Sequence, residues 1–152
     1  MNTTHHYRPV ATSPSPRFLT IIESPYAGEV EANLVYTRQC IRHAIEHYQE
    51  TPFASHLLYT QMFDDDIPAE RAIGISLGLK YYNAAQNVVA YIDLGISPGM
   101  DLGMDVARQL GIPIQFRSAH NNDPAAILAS LNRFPDGRSV PAHATEKTQS
   151  SD

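Results

Sequence analysis

The stretch from Asn87 to Arg117 constrains the fold of this chain more than any other part. An apolar run at 88–92 precedes a turn rich in glycine and proline, and an amphipathic segment then reaches Leu110 before a second apolar run at 112–116. A strand, a tight turn, a helix and a strand in this order form the β-α-β unit of a parallel sheet. The stretch therefore predicts an α/β protein.

The turn inside this unit predicts a ligand site. Ser97 is a good N-cap for the helix, and Pro98 fits the first helical position because a missing N–H costs nothing there. Gly95 and Gly99 let the backbone come close to whatever lies above the turn. Unpaired N–H groups at a helix N-terminus, beside the carboxyl end of a strand, suit an anion or a sugar hydroxyl.

Strand and helix signals alternate in the first half of the chain as well. We expect a strand at 18–22, a helix at 31–48, a short strand and an ordered loop at 52–59, and a helix from Pro68 to about Tyr82. The side chains expected to face the core are Leu34, Ile41, Ile45 and Tyr48 in the first helix and Ile73, Leu77 and Tyr81 in the second. A last short helix is expected at 123–134. Together these elements predict a doubly wound sheet.

The chain is predicted to hold one domain with a tail on each side. Its 152 residues suffice for one real core. Residues 1–16 have no hydrophobic periodicity and are predicted to form a flexible arm, in which His5 and His6 have no assigned role. Residues 17–134 form the predicted domain, and the polar, breaker-rich residues 135–152 are predicted to be a disordered tail.

Composition excludes several classes of protein. The chain has a formal net charge of -5 and no basic stripe that could neutralise phosphates. Both features argue against a nucleic-acid partner. No window approaches 18 apolar residues and the N-terminus lacks an apolar segment, so we expect neither a membrane span nor a secretory signal. The single cysteine, Cys40, excludes an internal disulfide and fits a cytoplasmic protein.

Three short segments carry a resemblance to a known family. They are Ser24-Pro25-Tyr26, Pro52-Phe53-Ala54-Ser55-His56, and Asp93-x-Gly95-x-Ser97-x-Gly99-Met100. The region 18–117 resembles an uncharacterised phage and bacterial domain family within the nucleoside 2-deoxyribosyltransferase-like superfamily. The resemblance implies a Rossmann-like sheet of about five parallel strands, a ligand of nucleoside or nucleotide size, and a homo-oligomer.

One position departs from the superfamily. Its transferases use a glutamate, about one turn into this helix, to attack the anomeric carbon of the sugar, and the resemblance places that residue at Gly103. Glycine cannot act as a nucleophile. Asp101 and Asp105 flank it; Asp101 is the carboxylate we would assign to catalysis, although it could simply stabilise the helix dipole, and Asp105 could be solvated. The chain is therefore predicted to bind a nucleoside or nucleotide. The alternative is a transferase or hydrolase of N-glycosidic bonds that uses a non-standard acid.

Four other candidate residues each allow two interpretations. Tyr26 packs against a base or sugar, or is a wedge between loop and helix. His56 acts as an acid, a base or a donor to the ligand, or is bonded to a backbone carbonyl at the edge of the core. Asp93 holds a ribose hydroxyl or caps the local turn. Arg71 binds a phosphate or pairs with Glu70 on the surface.

The predicted site contains no metal and no cofactor. Asp64, Asp65 and Asp66 cannot all face one point, and Asp before a helix is ordinary capping. His43 and His47 have the spacing of half a zinc site, but they lie away from the expected buried stripe and are predicted to be solvated. The predicted ligand-binding residues are Ser24, Pro25, Tyr26, His56, Arg71, Asp93, Gly95, Ser97, Gly99 and Met100, and the predicted catalytic residues are Asp101 and His56.

Overall fold

The computed structural model describes residues 18–121 together with residues 123, 125, 126 and 129. The predicted N-terminal arm, the predicted C-terminal tail and most of the predicted helix at 123–134 lie outside the described residues.

Strands and helices alternate along the described chain, as predicted. They are β1 (Leu19–Glu23), α1 (Val30–Tyr48), β2 (Thr51–Phe53), α2 (Ser55–Leu58), α3 (Pro68–Lys80), β3 (Asn87–Tyr91), α4 (Pro98–Gln109) and β4 (Ile114–Arg117), with 3-10 turns at Tyr59–Gln61 and Tyr81–Ala84. The strands form one parallel sheet in the order β2-β1-β3-β4. The α/β class is confirmed. The described sheet has four strands rather than about five, because the chain between β2 and β3 is entirely helical or in turns. No helix of this part of the chain is long and apolar enough to cross a bilayer.

β3 is the buried centre of the sheet. All its residues are buried, and they alternate between two helical layers. Val88 and Ala90 belong to the core under α4, whereas Val89 and Tyr91 belong to the core under α1. A strand covered on both faces has a continuous apolar run as its sequence pattern. The segment 88–92 could therefore be recognised as a strand from the sequence.

The packed face of α1 matches the predicted stripe only in part, since Ile41 packs against the core but the face is centred on other residues. Tyr48 is 45% exposed, and the residues that face the sheet are Asn33, Tyr36, Thr37, Cys40, His43 and Ala44. His43 was predicted to be solvated, but it is 8% exposed and its Nδ1 lies 2.8 Å from the hydroxyl of Tyr91. This prediction was wrong because polar residues can be buried when each finds a hydrogen-bond partner.

α3 packs differently from the prediction too. Ile73 is 48% exposed and Tyr81 is 37% exposed, while Gly78 is the buried residue of this helix. A Cβ atom on Gly78 would lie 2.6 Å from Oγ of Ser55. The helix therefore contacts α2 and the turn after it through small residues, while its Leu79 packs against the core under α4. Helices α2 and α3 thus form a cap beside the sheet, and the space beneath this cap becomes the cavity described below.

A buried ion pair joins the two edge strands. Glu50 precedes β2 and Arg117 ends β4, and both guanidinium NH groups lie 2.8 Å from the carboxylate oxygens of Glu50. The guanidinium also lies 3.5 Å from the centre of the Tyr48 ring. The side chains of Glu50 and Arg117 are 8% and 5% exposed, respectively. Two buried charges this well paired hold the end of α1 against the far side of the sheet.

Cys40 lies in the middle of the α1 layer. The side chain is fully buried, and burial raises the pKa of its thiol to about 12. The sequence left open whether this thiol is packed or half-exposed, and the structure shows it packed.

We expect Glu50→Ala to lower the free energy of unfolding by about 3–5 kcal/mol, because it leaves the buried guanidinium of Arg117 without its counter-charge. Glu46→Ala is the matched control, since Glu46 forms an exposed pair with Arg42 on the same helix and should cost at most about 1 kcal/mol. Urea denaturation of both variants measures the difference. Equal costs would show that the buried pair adds nothing to stability.

Candidate functional site

A cavity of about 260 Å³ lies at the topological switch point of the sheet. The chain leaves β1 through α1 on one face, whereas it leaves β3 through α4 on the other, and β1 and β3 are neighbours. Open α/β sheets bind ligands in the crevice that this reversal leaves beyond the carboxyl ends of the strands. The wall combines the end of β1 and the start of α4 with the cap formed by α2 and α3.

Most of the predicted ligand residues line this one cavity. They are Ser24, Tyr26, His56, Arg71, Ser97, Gly99 and Met100. The loops after β1 and before α4 therefore share a cleft, as a single site requires. Of the described residues, Pro25, Asp93, Gly95 and Asp101 are not part of the wall. Pro25 is buried, and Gly95 takes a positive φ of 93° to close the turn after β3.

The start of α4 has the predicted capping geometry. Oγ of Ser97 accepts a hydrogen bond of 3.3 Å from the backbone N–H of Met100, and Pro98 occupies the first helical position. The backbone N–H of Ser97 in turn lies 3.4 Å from the sulfur of Met100, whose side chain is buried. These contacts fix the helix terminus, together with Gly99, against the cavity.

His56 belongs to a buried network of hydroxyl groups. Its Nε2 lies 2.9 Å from Oγ of Ser24 and 3.2 Å from Oγ1 of Thr37, and these two oxygens are 2.7 Å apart. The hydroxyl of Thr37 donates to the backbone oxygen of Asn33. Nε2 therefore contacts side-chain hydroxyls rather than a backbone carbonyl. Burial lowers the pKa of His56 to about 4, so the imidazole is neutral at neutral pH.

Asp93 holds the polypeptide after β4 instead of facing the cavity. Its carboxylate accepts hydrogen bonds from the hydroxyls of Tyr36 and Ser118 and, at 2.8 Å, from the backbone N–H of Ala119. Burial acts to raise the pKa of Asp93, but these hydrogen bonds outweigh it and hold the pKa below its ordinary value. With these hydrogen bonds Asp93 ties the end of β3 to the loop after β4, and its role in holding a ribose hydroxyl stays a prediction.

Arg71 has a different partner from the one that its neighbour suggested. The guanidinium pairs with Asp65, whereas Glu70 accepts a hydrogen bond of 2.6 Å from the backbone N–H of Asp64. Asp65, Glu70 and Arg71 all line the cavity on the side of the cap. Oδ1 of Asp64 accepts from the backbone N–H of Asp66, so the aspartate run shapes a turn. Within residues 18–121 and the few described beyond them, no cluster of three His, Cys, Asp or Glu could hold a metal ion.

The aspartates beside Gly103 lie away from the cavity. Asp101 is in the first turn of α4, where a carboxylate favours the helix dipole. Asp105 is exposed and lies 2.5 Å from the guanidinium of Arg108. Residues two positions from 103 point roughly 200° around the helix from it, which explains why neither of them lines the wall.

Glu23 and Tyr82 are cavity residues that the sequence reasoning missed. Glu23 ends β1, and Tyr82 follows α3 and donates a hydrogen bond to Oε1 of that carboxyl group. A Cβ atom on Gly103 would overlap both groups and would lie 2.7 Å from Cδ of Glu23. Burial raises the pKa of Glu23 to about 8, although the hydrogen bond from Tyr82 acts to lower it. A carboxyl group therefore lies beside position 103, but it comes from the strand and not from the helix.

The sequence contained part of this information. Glu23 follows the apolar run of β1, so the parallel sheet alone would have placed it at the edge where ligands bind. Tyr82 is 59 positions away along the chain, and nothing local marks it as a partner of Glu23.

Comparison with known proteins identifies a domain family for most of the described chain. Residues 18–117 match the family described as "Domain of unknown function (DUF7768)". No curated protein matches the chain. A solved structure of the 2-deoxyribosyltransferase from the psychrotolerant bacterium Bacillus psychrosaccharolyticus is similar with a TM-score of 0.49 and 17% sequence identity, over 74% of this chain and 82% of that chain. Similarity at this level carries no information on activity.

We expect Gly103→Ala to destabilise the protein by about 1–3 kcal/mol, because the added methyl group displaces the carboxyl of Glu23 from Tyr82. Gly99→Ala is the control on the same helix. Its Cβ would meet only Oγ of Ser97 at 3.8 Å, so the better helix propensity of alanine should leave stability unchanged or raise it by up to about 1 kcal/mol.

In a Glu23→Ala background the cost of Gly103→Ala should shrink, since the space is then free. A double-mutant cycle from urea denaturation measures this coupling. Additive effects of the two substitutions would mean that Glu23 does not occupy the space above Gly103.

The raised pKa of Glu23 predicts a pH dependence of stability. Its pKa lies near 4.5 in the unfolded chain and near 8 in the folded one. The folded state therefore keeps a proton that the unfolded state releases, and the contribution of Glu23 to the free energy of unfolding falls as pH rises through this window. Relative to a Glu23→Gln variant, the parent should lose on the order of 1–3 kcal/mol between pH 5 and pH 8. Parallel pH dependences of the two proteins in urea denaturation would contradict this.

Proposed function

The chain belongs to the DUF7768 family of domains of unknown function, and we propose that it binds a nucleoside in the cavity at the switch point. The observation that carries the proposal is that one cavity receives the end of β1, the start of α4 and several aromatic rings. Each of these parts suits one portion of such a ligand.

The aromatic rings of the cavity suit a planar base. Tyr26, Tyr59, Phe63 and Tyr82 line it, and the ring of Tyr26 meets that of His56 edge to face with centroids 6.3 Å apart. The volume of about 260 Å³ lies just below the roughly 300–1,000 Å³ that ligand pockets span, which favours a nucleoside over a dinucleotide. Tyr26 is only partly buried, so part of its ring is accessible to a ligand.

The start of α4 suits the hydroxyl groups of a sugar. N–H groups in the first turn of a helix have no carbonyl partner one turn back, and Gly99 and Ser97 bring this turn to the cavity wall. The absence of a side chain at Gly99 lets a ligand approach the backbone closely.

The charges of the cavity favour an uncharged ligand over a phosphorylated one. Arg71 is the one Lys or Arg in the wall among the described residues, and Asp65 already pairs with it. His56 is neutral at neutral pH, and Glu70 adds a further carboxylate. A phosphate would therefore have to compete with Asp65 for the guanidinium. We accordingly favour a nucleoside over a nucleotide. For the same reason we do not assign phosphate binding to Arg71.

The remaining predictions concern the setting of this binding function. Homo-oligomerisation and a cytoplasmic location are proposals, as are the flexible arm and tail around a domain of residues 17–134. The alternative function, cleavage or transfer of an N-glycosidic bond, now has no support from Asp101, because that residue is absent from the described wall.

We expect 2′-deoxynucleosides to raise the melting temperature of the full chain more than their 5′-monophosphates do. A ligand at about 100 times its Kd stabilises the folded state by about 2.7 kcal/mol, which a thermal shift assay detects. Deoxyadenosine, deoxyguanosine, deoxycytidine and thymidine, each with its monophosphate, form the test panel.

The matched variants are Tyr26→Ala, which removes the ring and should abolish the shift, and Tyr26→Phe, which keeps the ring and should retain it. No shift with any of the four nucleosides would refute the proposed function. A larger shift with the monophosphates would instead assign Arg71 to phosphate binding.

A further inference from the structure

Four short contacts connect the imidazole of His56 to the hydroxyls beside it. Nε2 of His56 lies 2.9 Å from Oγ of Ser24 and 3.2 Å from Oγ1 of Thr37, and the two hydroxyl oxygens are 2.7 Å apart. Oγ1 of Thr37 also lies 2.8 Å from the backbone oxygen of Asn33. Each hydroxyl brings one proton and a neutral imidazole brings one, so the contacts determine where these protons lie.

The carbonyl group of Asn33 sets the direction of every hydrogen bond in this group. A carbonyl oxygen can only accept, so the single proton of Thr37 points to Asn33. The contact between Ser24 and Thr37 must then use the proton of Ser24. Ser24 has no second proton, so its contact with Nε2 requires that the imidazole donates. Any other arrangement of a neutral imidazole leaves two acceptors facing each other without a proton between them.

We infer that the imidazole of His56 is held as the tautomer with its proton on Nε2, and that its Nδ1 is a fixed hydrogen-bond acceptor for a ligand in the cavity. The ligand must therefore present an N–H or O–H group at this point. The inference rests on the proposed binding of a nucleoside, whose base would supply the N–H group. It makes His56 a residue that distinguishes ligands by their hydrogen-bond donors.

Nδ1 is open to the cavity. Both hydrogen bonds of the imidazole are made by Nε2, and within the described residues Nδ1 has none. In the same part of the chain, the enclosed side-chain oxygens and nitrogens that lack a partner are Oγ1 of Thr20 and Oδ1 of Asn87. Nδ1 is therefore not enclosed by protein, and the cavity is the open space that His56 lines.

The surroundings of the imidazole suit this role. Burial lowers the pKa of His56 to about 4, so at neutral pH the ring carries one proton and Nδ1 keeps its lone pair. The ring of Tyr26 meets the imidazole edge to face and places an aromatic surface beside the acceptor. A planar base that packs against Tyr26 would direct an N–H group on its edge toward Nδ1.

The tautomer is tested in the full chain without ligand, by nitrogen NMR spectroscopy of isotope-labelled histidine rings at neutral pH. Ring nitrogens with and without a proton give well-separated signals, and contacts with the ring of Tyr26 assign those of His56. We expect the proton on Nε2. Thr37→Val removes the acceptor of the Ser24 proton, which should then turn to Nε2 and leave the imidazole proton on Nδ1. Thr37→Ser keeps the hydroxyl and should keep the tautomer of the parent.

The acceptor role is tested by adding each of the four 2′-deoxynucleosides to the labelled chain. A nucleoside that raises the melting temperature should also move the Nδ1 signal, because Nδ1 then accepts a hydrogen bond.

Two matched pairs isolate the donor, since the amino group carries the only N–H donors of adenine and cytosine in a nucleoside. 2′-Deoxyadenosine and 2′-deoxycytidine should each bind about 10-fold more tightly than the analogue in which hydrogen replaces the amino group, as isothermal titration measures. This preference should vanish in Thr37→Val, where Nδ1 donates, and persist in Thr37→Ser.

The outcomes keep this inference apart from the proposed function. A proton on Nδ1 in the parent, or one that stays on Nε2 in Thr37→Val, would overturn the assignment of protons, and the spectrum of the parent decides this even if the variants do not fold. Equal affinities within both pairs, or a nucleoside that binds without moving the Nδ1 signal, would overturn the acceptor role and leave nucleoside binding intact. If no nucleoside raises the melting temperature, nucleoside binding and the acceptor role both fail, whereas the tautomer is still decided in the free chain.

Discussion

Burial of β3 on both faces is the constraint from which the rest of the structure follows. A strand without an exposed residue needs an apolar layer above and below, and α1 and α4 supply one each. Because α1 follows β1 and α4 follows β3, the chain must change faces between these neighbouring strands. The topology of the sheet alone creates a crevice at this reversal, and the residues around the crevice determine which ligand it can bind.

The polar groups of the cavity follow one electrostatic rule. Two groups at the end of β1 carry no charge at neutral pH: His56, whose Nε2 contacts Ser24, is deprotonated and Glu23 is mostly protonated. Arg71 of α3 and Asp65, in the segment before that helix, form an ion pair on the opposite side of the cavity. Charge is expensive where water is excluded, so this division keeps the deep end of the cavity neutral without depriving it of hydrogen-bonding groups.

Sequence reasoning succeeded where the signal was local and failed where it depended on distant partners. The unit at 87–117 was predicted well because an apolar run, a capping serine and a proline act within a few residues of one another. The face of α1 was predicted wrongly because the partner of His43 is Tyr91, in a strand far along the chain. Two features of the site that the sequence did not predict have the same origin. The role of Asp93 depends on Ser118, and the importance of Glu23 depends on Tyr82 and on the space above Gly103.

The buried position of Cys40 allows its rate of chemical labelling to report local opening of the core. The thiol is the only one in the chain, lies fully enclosed between α1 and the sheet, and is held in its unreactive protonated form. An alkylating reagent can reach it only when this layer separates, so the labelling rate measures how often the molecule opens there. Leu57 of α2 packs against the cluster that encloses Cys40, whereas α3 contributes no residue to it, so movements confined to α3 should leave that rate untouched. One side chain can thus distinguish opening of the core from movement of α3 alone.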